Sequence, residues 1–132
     1  MLRIIMGILG GAVAVFVVVG AIEYLAHLVF PVPSDSAQVP VATQLVVLVA
    51  YFLGALVAGM VANRISGRSW TAWPIALLVA AGAIWSMFMI PHPQWMQVAA
   101  VVAPLLGGLA ARRLARSNPA RPSGSDIADA GV

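Results

Sequence analysis

The sequence predicts an all-α protein, a four-transmembrane-helix bundle in antiparallel up-down-up-down order with both termini in the cytoplasm. The composition is 62% hydrophobic and 8% charged, whereas an average soluble domain is about 45–50% apolar and about 25% charged. Four apolar runs each approach or exceed the roughly 18 residues that read as a membrane-spanning helix. Because the charged residues of a soluble surface are missing, lipid is the expected solvent.

Span 1 is predicted at approximately residues 4–30. A cleaved signal peptide is the alternative, since one arginine precedes the apolar run and Val19 and Ala21 are small. The run continues past Ala21 to Phe30, however, and exceeds the ~7–15 apolar residues of a signal peptide. We therefore expect a retained span.

The other spans are separated by polar, proline-bearing or glycine-bearing breaks, "PVPSDSAQVP", "SGRS" and "PHPQ", which end helices or join antiparallel ones. They are predicted at approximately residues 41–63, 71–90 and 94–113. Pro104 lies inside span 4 and frees the carbonyl of Ala100, which predicts a kink. Residues 1–114 form the expected membrane domain, and the polar segment 115–132 is the expected disordered cytoplasmic tail.

Arginine sets the predicted topology. All seven basic residues are arginines, and the connections 31–40 and 91–94 contain none. Arginine marks the cytoplasmic side of a span, which predicts a multi-pass protein of the bacterial inner (plasma) membrane. The net charge of +3 does not indicate nucleic-acid binding, because the arginines flank spans. The topology determinants are Arg3, Arg64, Arg68, Arg112, Arg113 and Arg116, followed by Arg121 in the tail.

Small residues indicate which helix faces pack, because close backbone approach holds helices together in lipid. The expected packing residues are Gly7, Gly11, Gly54, Ala58, Gly107 and Gly108. Helical periodicity predicts that one face of span 2 packs against protein, namely Val47, Tyr51, Gly54, Ala55, Ala58 and Ala62. The opposite face is expected to meet lipid, namely Leu45, Val49, Phe52, Leu53, Leu56 and Met60.

Span 1 has small residues on one side and Glu23 with His27 on roughly the other. Either the other three helices surround it, or one face meets another subunit in a homo-oligomer.

At the cytoplasmic end of span 2, Asn63 and Arg64 are expected to bind headgroups or cap the helix.

Glu23, His27 and His92 form the candidate polar cluster. Glu23 and His27 share a helix face at i and i+4, and the topology brings His92 to the same outer side. The three could ligate a metal, or Glu23 and His27 could carry an ion or proton, since intramembrane ionisable groups are functional candidates. The favoured interpretation is structural, with Glu23 accepting hydrogen bonds from His27 and the proline loops.

Other chemistry finds little support in the sequence. Met87, Met89 and Met96 bracket His92 and could bind Cu(I), although methionine commonly fills apolar space. Cysteine is absent, and no serine–histidine–acid set, phosphate loop or heme-attachment motif occurs. We therefore predict no enzyme, no cofactor and no metal.

The segments "IEYLAHLVFPVP", "YFLGALVAGMVANRISGR" and "MIPHPQWMQVAAVVAPLLGGLAARR" resemble a group of small four-helix integral membrane proteins of bacteria. The shared pattern is a Glu and His that end span 1, a glycine-rich span 2 that ends in a basic residue, and an I-P-H-P-x-W turn. The resemblance covers most of the chain up to about Arg113, and it implies the four-span fold without any chemistry. The loop after span 1 is shorter here.

Two other four-helix families fit less well. Small multidrug-resistance transporters have a Glu deep in span 1, whereas Glu23 is near the outer edge, and the glycine–arginine signature of fluoride channels is missing. The sequence favours an accessory or scaffolding component of a membrane complex, whose partners are the bilayer and either its own copies or a larger complex. The alternative is a small transporter or channel for protons, metals or small cations that uses Glu23 and His27.

Overall fold

The computed structural model describes residues 1–30, 40–89 and 93–117. Helix α1 covers Leu2–Val29, α2 covers Val41–Ser66, α3 covers Ala72–Met89 after a 3₁₀ turn at Ser69–Thr71, and α4 covers Gln94–Ser117. No strand occurs in these three ranges, so the predicted all-α four-helix bundle is confirmed. All four helices are long and apolar enough to cross a membrane, and the chain is a multi-pass membrane protein.

Contacts between the helices establish their order and direction. Gly7 of α1 lies beside Ala62 and Ser66 of α2, whereas Val19, further along α1, lies beside Gly54, so α1 and α2 are antiparallel. Helices α2 and α4 run parallel and α3 opposes both, as the up-down-up-down prediction requires. One end of the bundle, here called the arginine end, contains Arg3, Arg64, Arg68, Arg112, Arg113 and Arg116. The other is called the Glu23 end.

Helix α2 is the central helix of the bundle, since it contacts α1, α3 and α4. The prediction that one face of α2 meets lipid is therefore only partly right. Leu45 and Val49 are exposed, but the other four residues assigned to that face are half-buried, namely Phe52, Leu53, Leu56 and Met60. Because α2 contacts three other helices, part of this face is covered as well.

Helix α1 lies at the edge of the bundle. It packs mainly against α2, touches α3, and makes no contact with α4 in the described ranges. Only 17% of its most apolar stretch is buried, against 28–33% in the other three helices. This excludes the expectation that the other three helices surround span 1.

Small residues form most of the interior, because the helix backbones approach one another closely. The six predicted packing residues are all buried: Gly7, Gly11, Gly54, Ala58, Gly107 and Gly108. A Cβ atom on Gly7 would come within 2.8 Å of the Ala62 carbonyl oxygen, and one on Gly11 within 3.0 Å of the Ala58 oxygen. These two glycines thus let the α1 backbone approach α2.

Helix α4 is longer than predicted. It continues to Ser117, three residues into the segment expected to be a disordered tail, and residues 118–132 lie outside the described ranges.

Pro104 is buried inside α4, and the helix continues through it. Gln97 shares a helical face with the buried residues Ala100, Pro104 and Gly107 but is itself exposed.

The turn after α2 depends on Gly67, which ends the helix in the left-handed conformation with φ 70°. Its N–H donates to the carbonyl oxygen of Asn63 at 2.9 Å, a common glycine-based helix ending. Alanine is strained at positive φ, so Gly67→Ala should lower the free energy of unfolding by about 1 kcal/mol. Thermal unfolding in detergent measures this loss.

Gly20→Ala is the matched control for this turn, because Gly20 lies mid-helix with open space around it. Alanine is the better helix former there, and the free energy of unfolding should stay equal or rise. A Gly67→Ala variant as stable as Gly20→Ala would contradict the role assigned to the left-handed backbone.

Candidate functional site

Glu23 and His27 lie near the end of α1, on the side facing away from the other three helices. Both are exposed, and Gly20 and Phe16 lie on the same side about one and two turns before Glu23, respectively. Glu23 follows Leu2 by about 30 Å along the helix axis at ~1.5 Å per residue, close to the ~30 Å thickness of the hydrocarbon core. A carboxyl group therefore faces outward at about one hydrocarbon-core thickness from the start of α1.

We call this side of α1 the outer face and define it by Phe16, Gly20, Glu23 and His27. Phe16 is 76% exposed, and a Cβ atom added to Gly20 would meet nothing within 4 Å. The outer face thus has an exposed glycine, with the Phe16 ring on one side of it along the helix and the Glu23 and His27 side chains on the other.

His27 is fixed by a local hydrogen bond. Its Nδ1 lies 2.7 Å from the backbone carbonyl oxygen of Glu23, and because a carbonyl only accepts, Nδ1–H is the donor. In the neutral ring Nε2 is then an acceptor. The predicted structural interaction has Glu23 accept a hydrogen bond from His27. In the structure the acceptor is the backbone carbonyl of Glu23 and not its carboxyl group.

The Glu23 carboxylate has no hydrogen-bond or ion-pair partner within residues 1–30, 40–89 and 93–117. No group of three or more His, Cys, Asp or Glu side chains in these ranges could hold a metal ion. His92, the third member of the predicted cluster, lies outside the described residues, as does the connection 31–39. Contact among Glu23, His27 and His92 therefore stays a prediction.

A second polar site occurs at the arginine end and joins three elements. Asn63 of α2 donates from Nδ2 to the carbonyl oxygen of Ala111 in α4 at 3.2 Å, and accepts at Oδ1 from the Thr71 hydroxyl at 3.1 Å. Ser66 Oγ lies 2.8 Å from Thr71 Oγ1. Asn63, Ser66 and Thr71 are all buried, and they form what we call the Asn63 network.

The expectation that Asn63 binds headgroups or caps α2 is not met, since its side chain is 6% exposed and bridges two helices. The signal that could have found this role is the set of polar side chains at 63, 66 and 71 around a glycine turn. In a chain this apolar, buried polar groups need partners within the protein.

The Asn63 network lies beneath an open cleft of about 860 Å³ at the arginine end. Its walls come from the last turns of α2, the α2–α3 turn and the last turns of α4. Lining residues are Met60, Asn63, Arg64, Gly67, Arg68, Ser69, Leu114, Ala115, Arg116 and Ser117.

No family model, curated protein or solved structure matches this chain.

Proposed function

We propose that this protein is a non-enzymatic accessory component of a bacterial inner-membrane complex, with both termini in the cytoplasm. In this proposal, the outer face of α1 docks on a second membrane protein. The observation that carries the proposal is the exposure of Glu23 on the edge helix of the bundle. Ionisable side chains within spans almost always face protein or water and pair with other groups, so an outward carboxyl group favours a partner that covers it.

The chemistry of the outer face indicates what the partner provides. The Glu23 carboxylate accepts hydrogen bonds, and the Nδ1–H bond of His27 leaves Nε2 as a second acceptor. A complementary helix would present donors at this depth, such as an arginine, lysine or tryptophan side chain. Phe16 and the exposed backbone at Gly20 would pack against its apolar residues.

A second copy of the chain complements this face less well. In a two-fold symmetric pair the same patch lies on both sides of the interface. With both His27 rings neutral, two carboxylates and two Nε2 acceptors would then meet, and the like charges of the carboxylates repel at close range. A different protein is therefore the proposed partner.

The transporter alternative also fits less well, because Glu23 and His27 lie on the outside of the bundle. Buried polar side chains in the described ranges lie near the helix ends, with Gln44 at one end and the Asn63 network at the other. Between them the interior consists of alanine, glycine and other apolar residues. A route through the bundle would not use Glu23.

A photoreactive amino acid at Phe16 tests the docking proposal in native membranes. We expect a cross-link to one other membrane protein, weakened about tenfold by Glu23→Gln through loss of a charge-assisted hydrogen bond. Gly20→Leu should also weaken it, because the added side chain projects from the outer face towards the partner without touching the bundle.

Matched controls lie on α3. Phe88 is 83% exposed and should give no protein cross-link when replaced by the same amino acid. Gly82, like Gly20, has open space around it, and Gly82→Leu should leave the Phe16 cross-link unchanged. A cross-link at twice the monomer mass, or one indifferent to Glu23→Gln, would contradict the proposal. Cation or proton flux in liposomes that Glu23→Gln abolishes would favour the transporter.

A further inference from the structure

We infer that the cleft at the arginine end binds the phosphate group of an anionic phospholipid. Three arginines line the cleft: Arg64 from the end of α2, Arg68 from the α2–α3 turn and Arg116 from the end of α4. All three are exposed. Guanidinium groups recognise phosphate through paired, charge-assisted hydrogen bonds, and these three approach one space from three separate elements.

The protein itself does not neutralise these charges in the part of the chain that the structure describes. Glu23 is the only acidic residue in residues 1–30, 40–89 and 93–117, and it lies at the opposite end of the bundle. Three cations around one cleft repel one another in the absence of an anion. An anionic ligand would relieve this repulsion.

Arg112 lies four residues before Arg116 and so shares its side of α4, but it is not among the residues that line the cleft. Its Nε is buried and has no hydrogen-bond partner among the described residues. Arg112 therefore adds positive charge to the arginine end without forming part of the proposed phosphate site.

The apolar part of the cleft indicates a lipid rather than a free phosphate ion. Met60 and Leu114 line it together with the arginines, and Trp70, in the adjoining 3₁₀ turn, is 44% exposed. Tryptophan is enriched at headgroup level. The cleft thus offers arginines for a phosphate and an apolar wall for the first part of an acyl chain.

The network beneath the cleft gives it a fixed shape. Asn63 is both a lining residue and the bridge to the Ala111 carbonyl of α4, so it holds the ends of α2 and α4 together. Arg68 is held through its backbone, because its N–H donates to Ser66 Oγ at 3.2 Å and its carbonyl oxygen lies 2.7 Å from Thr71 Oγ1. The single proton of the Thr71 hydroxyl is shared between this carbonyl oxygen and Asn63 Oδ1. The cleft walls are therefore positioned before a ligand arrives.

Native mass spectrometry of the purified full chain, titrated with phosphatidylglycerol or phosphatidylcholine, tests this inference. We expect preferential binding of phosphatidylglycerol, which Arg64→Gln/Arg116→Gln should weaken at least about tenfold. The control, Arg3→Gln/Arg113→Gln, removes the same charge from the same end without touching the cleft lining, and it should change binding less than about threefold.

Three results would overturn the inference. Equal weakening by both double variants would indicate general surface charge, and equal binding of the two lipids would exclude a site for anionic headgroups. Inorganic phosphate that displaces phosphatidylglycerol at equal concentration would identify a site for small anions. Circular dichroism and gel filtration establish that both double variants are folded, and the Arg64→Lys/Arg116→Lys variant should retain part of the binding, because it keeps the charge.

Discussion

Gly107→Val is expected to lower the free energy of unfolding by about 3 kcal/mol or more. A Cβ atom at Gly107 would collide with the carbonyl oxygen of Phe52. It would also lie 3.1 Å from both the Ala55 Cβ and the Leu56 backbone nitrogen. Two of these three atoms belong to the backbone of α2, so no side-chain rotation can relieve the contact and the helices must separate.

Thermal unfolding of the purified protein in mild detergent measures this effect, and Gly107→Ala should give a smaller loss of about 2 kcal/mol. Gly82→Val is the matched control, because open space surrounds Gly82 on α3. Its stability should change by less than about 1 kcal/mol. Equal losses at Gly107 and Gly82 would show that valine is harmful through helix propensity and not through the contact with α2.

The role of Gly107 illustrates what the sequence could predict. Small residues at helical spacing mark the places where backbones approach in lipid, and all six predicted packing residues are buried. The four spans follow in the same way from apolar runs that end at proline, glycine or arginine. These features are local, so a single sequence contains them.

The arrangement of the helices around one another could not be predicted in the same way. The pattern of α2 indicated one packing face, but α2 contacts three helices, and residues such as Phe52 and Leu56 are consequently half-buried. Helical periodicity identifies the face of a helix that has the smallest residues, but it does not give the number of neighbouring helices. The peripheral position of α1 was open for the same reason.

The Asn63 network was missed because its contacts depend on distant residues. Asn63 reaches Ala111 across 48 residues of sequence, and only the packing of α2 on α4 brings the two together. Polar residues at the end of a span normally meet headgroups or water, which is why the sequence favoured a cap. Glu23, at the other end of the bundle, was easier to single out, because it is isolated in a long apolar run. The sequence could not predict that its side of α1 faces away from the other helices.

Asn63→Leu is expected to lower the free energy of unfolding by about 2 kcal/mol. The substitution removes the bond to the Ala111 carbonyl and the acceptor for the Thr71 hydroxyl, and buried polar groups that lose a partner cost about 1–3 kcal/mol. Ser117→Ala is the control at the same end, because among the described residues its exposed hydroxyl binds only carbonyls of its own helix. It should change stability by less than about 0.5 kcal/mol.

A double-mutant cycle with Thr71→Val separates the network from simple packing, since valine has nearly the shape of threonine but no hydroxyl. Thr71→Val alone should cost about 1–2 kcal/mol, because Thr71 is fully buried and its hydroxyl contacts Asn63 Oδ1, Ser66 Oγ and the Arg68 carbonyl. The double variant should lose less than the sum of the two single losses, since both remove the same hydrogen bond. Strictly additive losses would mean that Asn63 and Thr71 act independently and that no network connects α2, the turn and α4.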